Sequence, residues 1–147
     1  MPRPPLPTLL ASLMLLAVCP IGCRQFTYAP DRASRPYPAH LPRGETVRVQ
    51  VLSDGVAIDV VNATATAYRE FDLWLNRRYR RFVPRLDPGE SITLRLDTFW
   101  DHLGEGPQVG GFFASRDPTP IVLAEIQTDE TSPLVGLVAV EIVDQPF

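Results

Sequence analysis

Strict alternation of apolar and polar residues begins near position 46. Val47, Val49 and Val51 are separated by Arg48 and Gln50, and beyond Asp54-Gly55 the pattern resumes with Val56, Ile58 and Val60 around Ala57 and Asp59. A period of two places the apolar set on one face of a half-buried strand. Asp-Gly between two such runs predicts a β-hairpin, because its turn demands positive φ. A third strand is predicted over 69–76, with Phe71, Leu73 and Leu75 facing one way and Asp72, Trp74 and Asn76 the other. A fourth over 79–85 is assigned to a sheet edge, since Pro84 has no N–H to give a central ladder. Asp87-Pro88-Gly89-Glu90 has Pro and Gly where a type II turn needs them, and alternation returns in Ile92, Leu94 and Leu96.

The remainder is less regular. Residues 98–103 fit one helical turn, and 104–111 form a loop with four glycines. Phe112-Phe113-Ala114 reads as a short strand, closed by the Asp117-Pro118-Thr119-Pro120 corner. The stretches 121–128 and 134–143 are almost continuously apolar at their centres, the pattern of core strands covered on both faces. Short strands separated by turn signals, with no long amphipathic helix, predict an all-β domain. The expected architecture is an immunoglobulin-like antiparallel β-sandwich of about 7–8 short strands.

The N-terminal third follows a different rule. Arg3 precedes an unbroken apolar run, residues 9–18. That run matches the core of an export signal and is too short for a membrane span of about 20 residues. Pro20-Ile21-Gly22-Cys23 follows it. A small residue directly before a Cys resembles the bacterial lipobox, although Pro20 stands where that family favours Leu. The resemblance implies cleavage before Cys23 and acylation of its thiol and new amino group. A plain secretory signal cleaved nearby is the alternative. Residues 24–43 hold Pro30, Pro36, Pro38 and Pro42 without periodicity, as a tether does. The aromatic residues in it, Phe26, Tyr28 and Tyr37, are candidates to dock on the domain or to lie near a headgroup layer. The expected organisation is therefore a lipoprotein-type signal over 1–22, a Pro-rich tether over 23–43 and a β-sandwich over 44–147.

Composition narrows the partners. The 147-residue chain carries a formal net charge of −3, and all 14 of its basic residues are Arg. An acidic balance excludes bulk electrostatic nucleic-acid binding. With only His40, His102 and, past the signal, Cys23, neither a blue-copper nor a four-ligand zinc site can be assembled. No cofactor is expected. Asp97, Asp101 and Glu105 are four apart, but Gly104, Gly106 and Pro107 interrupt the helix that would align them. There is no Gly-x-Ser-x-Gly nucleophile elbow, and the expectation is a non-enzymatic protein.

Two constellations remain. Arg77, Arg78, Arg80 and Arg81 surround Tyr79. Arginines beside an aromatic ring can grip an anionic polymer or a partner's carboxylates. Equally, they can guard an exposed hairpin tip and edge strand. Phe99, Trp100, Phe112 and Phe113 flank the Gly-rich loop. They either fill the end of the core or form an aromatic surface for sugar or peptide.

Three stretches together carry a second resemblance: Ile58-Asp59-Val60-Val61-Asn62-Ala63-Thr64, Phe71-Asp72-Leu73-Trp74-Leu75, and Leu86-Asp87-Pro88-Gly89-Glu90-Ser91-Ile92. They are similar to FxLYD- and CARDB-type domains of bacterial envelopes. That similarity implies an immunoglobulin-like sandwich with adhesive, scaffolding or accessory roles and no shared catalytic residues. The combined expectation is an exported lipoprotein, anchored to a membrane in the periplasm or at the cell surface. It would act as an interaction or structural module, toward an envelope protein or anionic polymer. The alternative is a soluble, secreted carbohydrate- or peptide-binding domain.

Overall fold

The computed structural model describes residues 28–112, 114 and 116–142. Seven strands follow in chain order: β1 Arg43–Ser53, β2 Ala57–Asn62, β3 Tyr68–Leu75, β4 Tyr79–Leu86, β5 Ser91–Arg95, β6 Ala124–Gln127 and β7 Leu134–Glu141. They form one sheet in the order β4-β3-β6-β7-β1-β2-β5. The sheet curls into an almost closed barrel, so that inward residues of every strand meet in one core. Val51, Ile58, Leu73, Val83, Leu94, Ile126 and Leu137 represent the seven strands in it. Leu96, Phe99 and Ile121 close it from the connecting loops. The alternation in the sequence therefore reports the inner face correctly in β1, β2 and β3.

The all-β expectation holds, but the sheet is mixed. β1 runs parallel to β7 along its length, from Arg43↔Leu134 to Ser53↔Glu141, and antiparallel to β2. Two hairpins enforce this. The β1–β2 hairpin fixes the direction of β1, the β6–β7 hairpin fixes that of β7, and the sheet brings the two together.

The two predicted turns lie where they were expected, but the first is not a two-residue turn centred on Asp54-Gly55: residues 54–57 lie between the paired Ser53 and Ile58, and Gly55 alone of the Asp-Gly pair takes positive φ, because Asp54 acts through its side chain. Asp54 Oδ1 accepts the N–H groups of Val56 and Ala57 at 2.8 and 2.7 Å, and Gly55 takes φ 83°. Gly89 takes φ 75° while Glu90 N donates to Asp87 O at 3.0 Å, so Pro88-Gly89 make the central pair of the predicted turn. β4 lies at one edge of the sheet, as its Pro84 requires.

Four details differ. The helical turn predicted over 98–103 is a 3-10 turn at Leu96–Thr98, after which Phe99 is extended and Trp100 bridges back to Arg80. Phe112 and Ala114 lie outside any strand, because Gly111 at φ 132° turns the chain and Ala114 N closes onto its carbonyl. β6 starts three residues later than predicted, since the Asn76 side chain accepts the Val122 and Leu123 N–H groups. β7 buries Leu137 on its core face and Leu134 at its start, but leaves Val138 and Val140 exposed, so its outer face is covered only at the N-terminal end.

Candidate functional site

The residues that alternation turns away from the core do not all reach water. On the outer face of β3 and β6, Asp72 pairs across the ladder with Gln127, and Trp74 with Glu125. All four are buried, Trp74 completely and Glu125 to 2% exposure. What covers them is the proline-rich segment that precedes β1.

That segment is pinned from end to end. Ala29 N donates to Gly104 O and Ser34 N to Asp101 O, both at 2.8 Å. Between them Pro30–Arg32 makes one 3-10 turn, and the Arg32 guanidinium lies 5.5 Å above the Trp100 ring. Pro36 and Pro38 favour extended backbone, which lets the chain run flat across the strands. Arg35 then reaches Asp72 and, at 2.9 Å, Gln127 Oε1, which also accepts from Trp74 Nε1 at 2.9 Å. The Tyr37 ring meets Trp74 edge-on at 5.4 Å, and its hydroxyl donates to Glu125 Oε2 at 2.7 Å. Arg43 Nε lies 3.2 Å from the other Glu125 oxygen. Burial, followed by the hydrogen bond to Glu125, raises the Tyr37 pKa.

Asp72 is the centre of this strap. Arg35 holds one of its oxygens, and the Arg80 guanidinium lies 2.7 Å from the other, off hydrogen-bond alignment. Arg35 Nε and Arg80 Nε are buried without a hydrogen-bond partner among the described residues. Against the strap lies a cleft of about 350 Å³ lined by Arg35, Pro36, Tyr37, Pro38, His40, Gln127 and Glu130.

The arginines of the β3–β4 hairpin are largely occupied. Arg78 Nε donates to Asp101 Oδ2 at 2.9 Å, Arg78 also pairs with Glu105, and its guanidinium lies 5.1 Å from the Tyr79 ring centre. Burial raises the Asp101 pKa, but donation from the Glu105 N–H, Arg78 and the Leu103 N–H outweighs it, and the net shift is downward. Arg80 is held by Asp72, and Arg81 lies on the core side, 5.9 Å from the Phe99 ring centre. Burial lowers the Arg81 pKa against a weaker pull from Asp97. Tyr79 is itself core. Arg77 alone of this group is exposed and without an ion pair among the described residues. The run of arginines is thus divided between both faces of an edge strand and does not form one patch.

The four aromatics also separate. Phe99 is fully buried and Trp100 nearly so, whereas Phe112 is 96% exposed. Phe113 and the proposed acylation site Cys23 lie outside the described residues. Of the three carboxylates spaced four apart, Asp97 binds Arg95 while Asp101 and Glu105 clamp Arg78.

Sequence reasoning named Tyr37 among the residues that could dock on the domain, but missed the polar cluster it joins. The available signal was Asp72 and Trp74 on the polar side of β3 with Glu125 and Gln127 inside an otherwise apolar run. Polar residues inside a core-like strand ask for partners, but those of Gln127 and Glu125 in the leader lie 92 and 88 positions upstream, at Arg35 and Tyr37, and that of Asp72 lies 37 upstream.

At the other end of the sheet, Asn62 is a fully buried hub. Its N–H donates to Glu90 O, its carbonyl accepts from Gly89 N, and its side chain bonds Thr66 O, Leu86 O and the Thr64 hydroxyl. No family model, no curated protein and no solved structure matches the chain.

Proposed function

We propose that the chain is a non-enzymatic exported lipoprotein, anchored to a membrane through acylated Cys23, whose β domain is an interaction or structural module at the bacterial cell envelope. The observation that carries this reading is the docked leader. A free tether of twenty residues, 24–43, would let the domain range some 60 Å from its anchor, at ~3.1 Å per extended residue. With residues 28–34 fastened to the 101–105 loop and Arg35 and Tyr37 to the β3–β6 face, only residues 24–27 separate Cys23 from the first docked position. The span from Cys23 to Tyr28 is then at most about 18 Å. A segment fastened in this way holds a module at a defined distance from a membrane surface, which suits a scaffold or adhesion element. No helix among the described residues is long and apolar enough to cross a membrane. Anchoring would therefore fall to the lipid, and stable attachment takes more than one acyl chain.

The finer fold assignment belongs to the same proposal. Reading β1, β2, β3, β4, β5, β6 and β7 as strands A, B, C, C′, E, F and G gives the order C′-C-F-G beside A-B-E, with β1 joining both halves. That is the strand order of an immunoglobulin-like sandwich whose first strand serves both sheets. The similarity to FxLYD and CARDB domains is supported by Asn62, which ties two of the three stretches that carry it at one turn. The second reading, a soluble secreted carbohydrate- or peptide-binding domain, draws on the cleft beside Tyr37 and His40.

Cys23→Ala distinguishes the two. Loss of the domain from the membrane fraction, with an acylated N-terminal Cys found by mass spectrometry in the parent, supports the lipoprotein. Unchanged recovery in membranes, or a parent with an unmodified N-terminus, overturns it.

A further inference from the structure

The two ends of the barrel differ in what they show to solvent. β3 is antiparallel to β6, β6 to β7, and β7 is parallel to β1, so β1 and β3 finish at the same end. That loop end holds the Asp54-Gly55 turn, the Asn76-Arg77 turn and the long connection from β5 to β6. Gly110 N bonds Gly55 O there, and Asn76 bonds the 120–123 stretch. Tyr28 bridges Glu105 at the same end, so the leader enters the folded domain there.

Of the eight exposed large apolar side chains among the described residues, five belong to this end: Tyr28 at 59%, Leu103 at 54%, Phe112 at 96%, Val122 at 73% and Ile142 at 49%. The opposite end consists of the turns at 62–66, 87–90 and 129–132 and has none among the described residues. Its Asp87 and Asp129 instead gather backbone and hydroxyl donors and ion pairs. Gly104, at φ +79°, fixes where the leader lands, because a side chain there would strike the Ala29 carbonyl and Pro30.

Resting on the lipid anchor proposed above, we infer that the loop end faces the bilayer that holds Cys23 and seats Tyr28, Leu103, Phe112 and Val122 in its headgroup layer. Exposed apolar groups concentrated on one end mark an interaction surface. A phospholipid surface is the occupant within reach, since the acyl chains start no more than about 18 Å from Tyr28. Tyr suits such a boundary, with an apolar ring and a polar tip. Arg77, exposed at this end, is free to meet phosphate headgroups.

The test uses the full chain, expressed with its signal and purified from membranes. Leu103→Cys, labelled with an environment-sensitive nitrobenzoxadiazole, is reconstituted into vesicles of phosphatidylethanolamine and phosphatidylglycerol carrying doxyl-labelled lipid. Ala65→Cys, in the 62–66 turn at the opposite end, is the control. Leu103 and Ala65 are both exposed and neither side chain makes a polar contact, so neither variant threatens the fold. The expected result is at least threefold stronger quenching, with a blue-shifted emission, at position 103. Equal, weak quenching at both positions in vesicle-bound protein overturns the inference and leaves the anchor standing. A blue shift at 103 without lipid quenching also overturns it, because the label is then shielded by protein and not by lipid. Protein that fails to associate with vesicles, with an unacylated N-terminus, removes both the inference and the anchor on which it rests.

Discussion

Strand β3 is buried on both faces for two different reasons. Its inner face, Phe71, Leu73 and Leu75, is covered by the curl of its own sheet. Its outer face, Asp72 and Trp74, is covered by a segment that precedes the first strand and is held by ion pairs and directed hydrogen bonds. Apolar burial is non-directional and tolerates repacking. A buried carboxylate is tolerated only while its cationic partners stay in place. The outer face therefore depends on individual residues of the leader in a way the inner face does not.

The comparison can be broken from either side. Leu73→Ala on the inner face should have the largest effect, about 3 kcal/mol of lost unfolding free energy in denaturant titration, from lost burial and a residual cavity. A loss below about 1 kcal/mol would mean that the core is looser than its burial implies. Asp72→Ala on the outer face should cost about 2 kcal/mol, because Arg35 and Arg80 are left facing one another, tempered by their partial exposure. Adding Arg35→Ala should restore part of that loss, whereas additive losses would show that the pair is not coupled.

Tyr37→Phe sharpens the contrast at lower cost, about 1 kcal/mol, by removing one hydrogen bond to a buried carboxylate. It should also change the alkaline limb. The Tyr37 pKa is raised above its ordinary value of 10.0, first by burial and then by Glu125. Its contribution is therefore complete below that value and is lost as pH rises through the higher folded value. Thermal unfolding scanned from pH 8 to 11 should fall more steeply in the parent than in Tyr37→Phe, and equal slopes would contradict this. Arg77→Gly should stabilise by about 0.5 kcal/mol. Asn76 and Arg77 both take positive φ, 51° and 56°, as the central pair of the turn that the Arg78 N–H closes onto Leu75 O within the three-residue connection 76–78, and the second of these positions favours glycine. The smallest effect lies at the far end. The Asp129 carboxyl is lowered to about 2, first by the Ser132 hydroxyl and then by Thr131. Carbon-detected NMR titration should show it ionised at pH 3, where an ordinary aspartate is mostly protonated, and Ser132→Ala should move its midpoint upward.

What was legible in the sequence follows the same division. Period-two alternation identified the inner face of β1, β2 and β3, and Asp54-Gly55, Pro84 and Pro88-Gly89 located two turns and an edge, because those signals are local. The parallel β1–β7 pair was not legible, since it joins the first and last strands of the sheet. Docking of Tyr28 and Tyr37 is one of two readings that the sequence leaves open, and the polar strap around them was missed for a related reason. Its prolines give the same composition whether the chain is solvated or laid flat on a sheet, and only the partners of Arg35 and Tyr37 distinguish the two. The arginine run was misleading as a candidate patch because β4 alternates: Arg80 turns to Asp72 and Arg81 to the Phe99 ring.

Amide hydrogen exchange tests most directly whether the proline-rich leader is part of the folded unit. The Ser34 N–H bonds Asp101 O and the Ala29 N–H bonds Gly104 O, both far along the chain. With the strap docked, the Ser34 amide should be protected to within about tenfold of amides in β3 and β6, since it would open with the same cooperative unit. Exchange of Ser34 at the rate of an unstructured peptide, beside slow exchange in β3, would contradict the account and return the segment to a free tether.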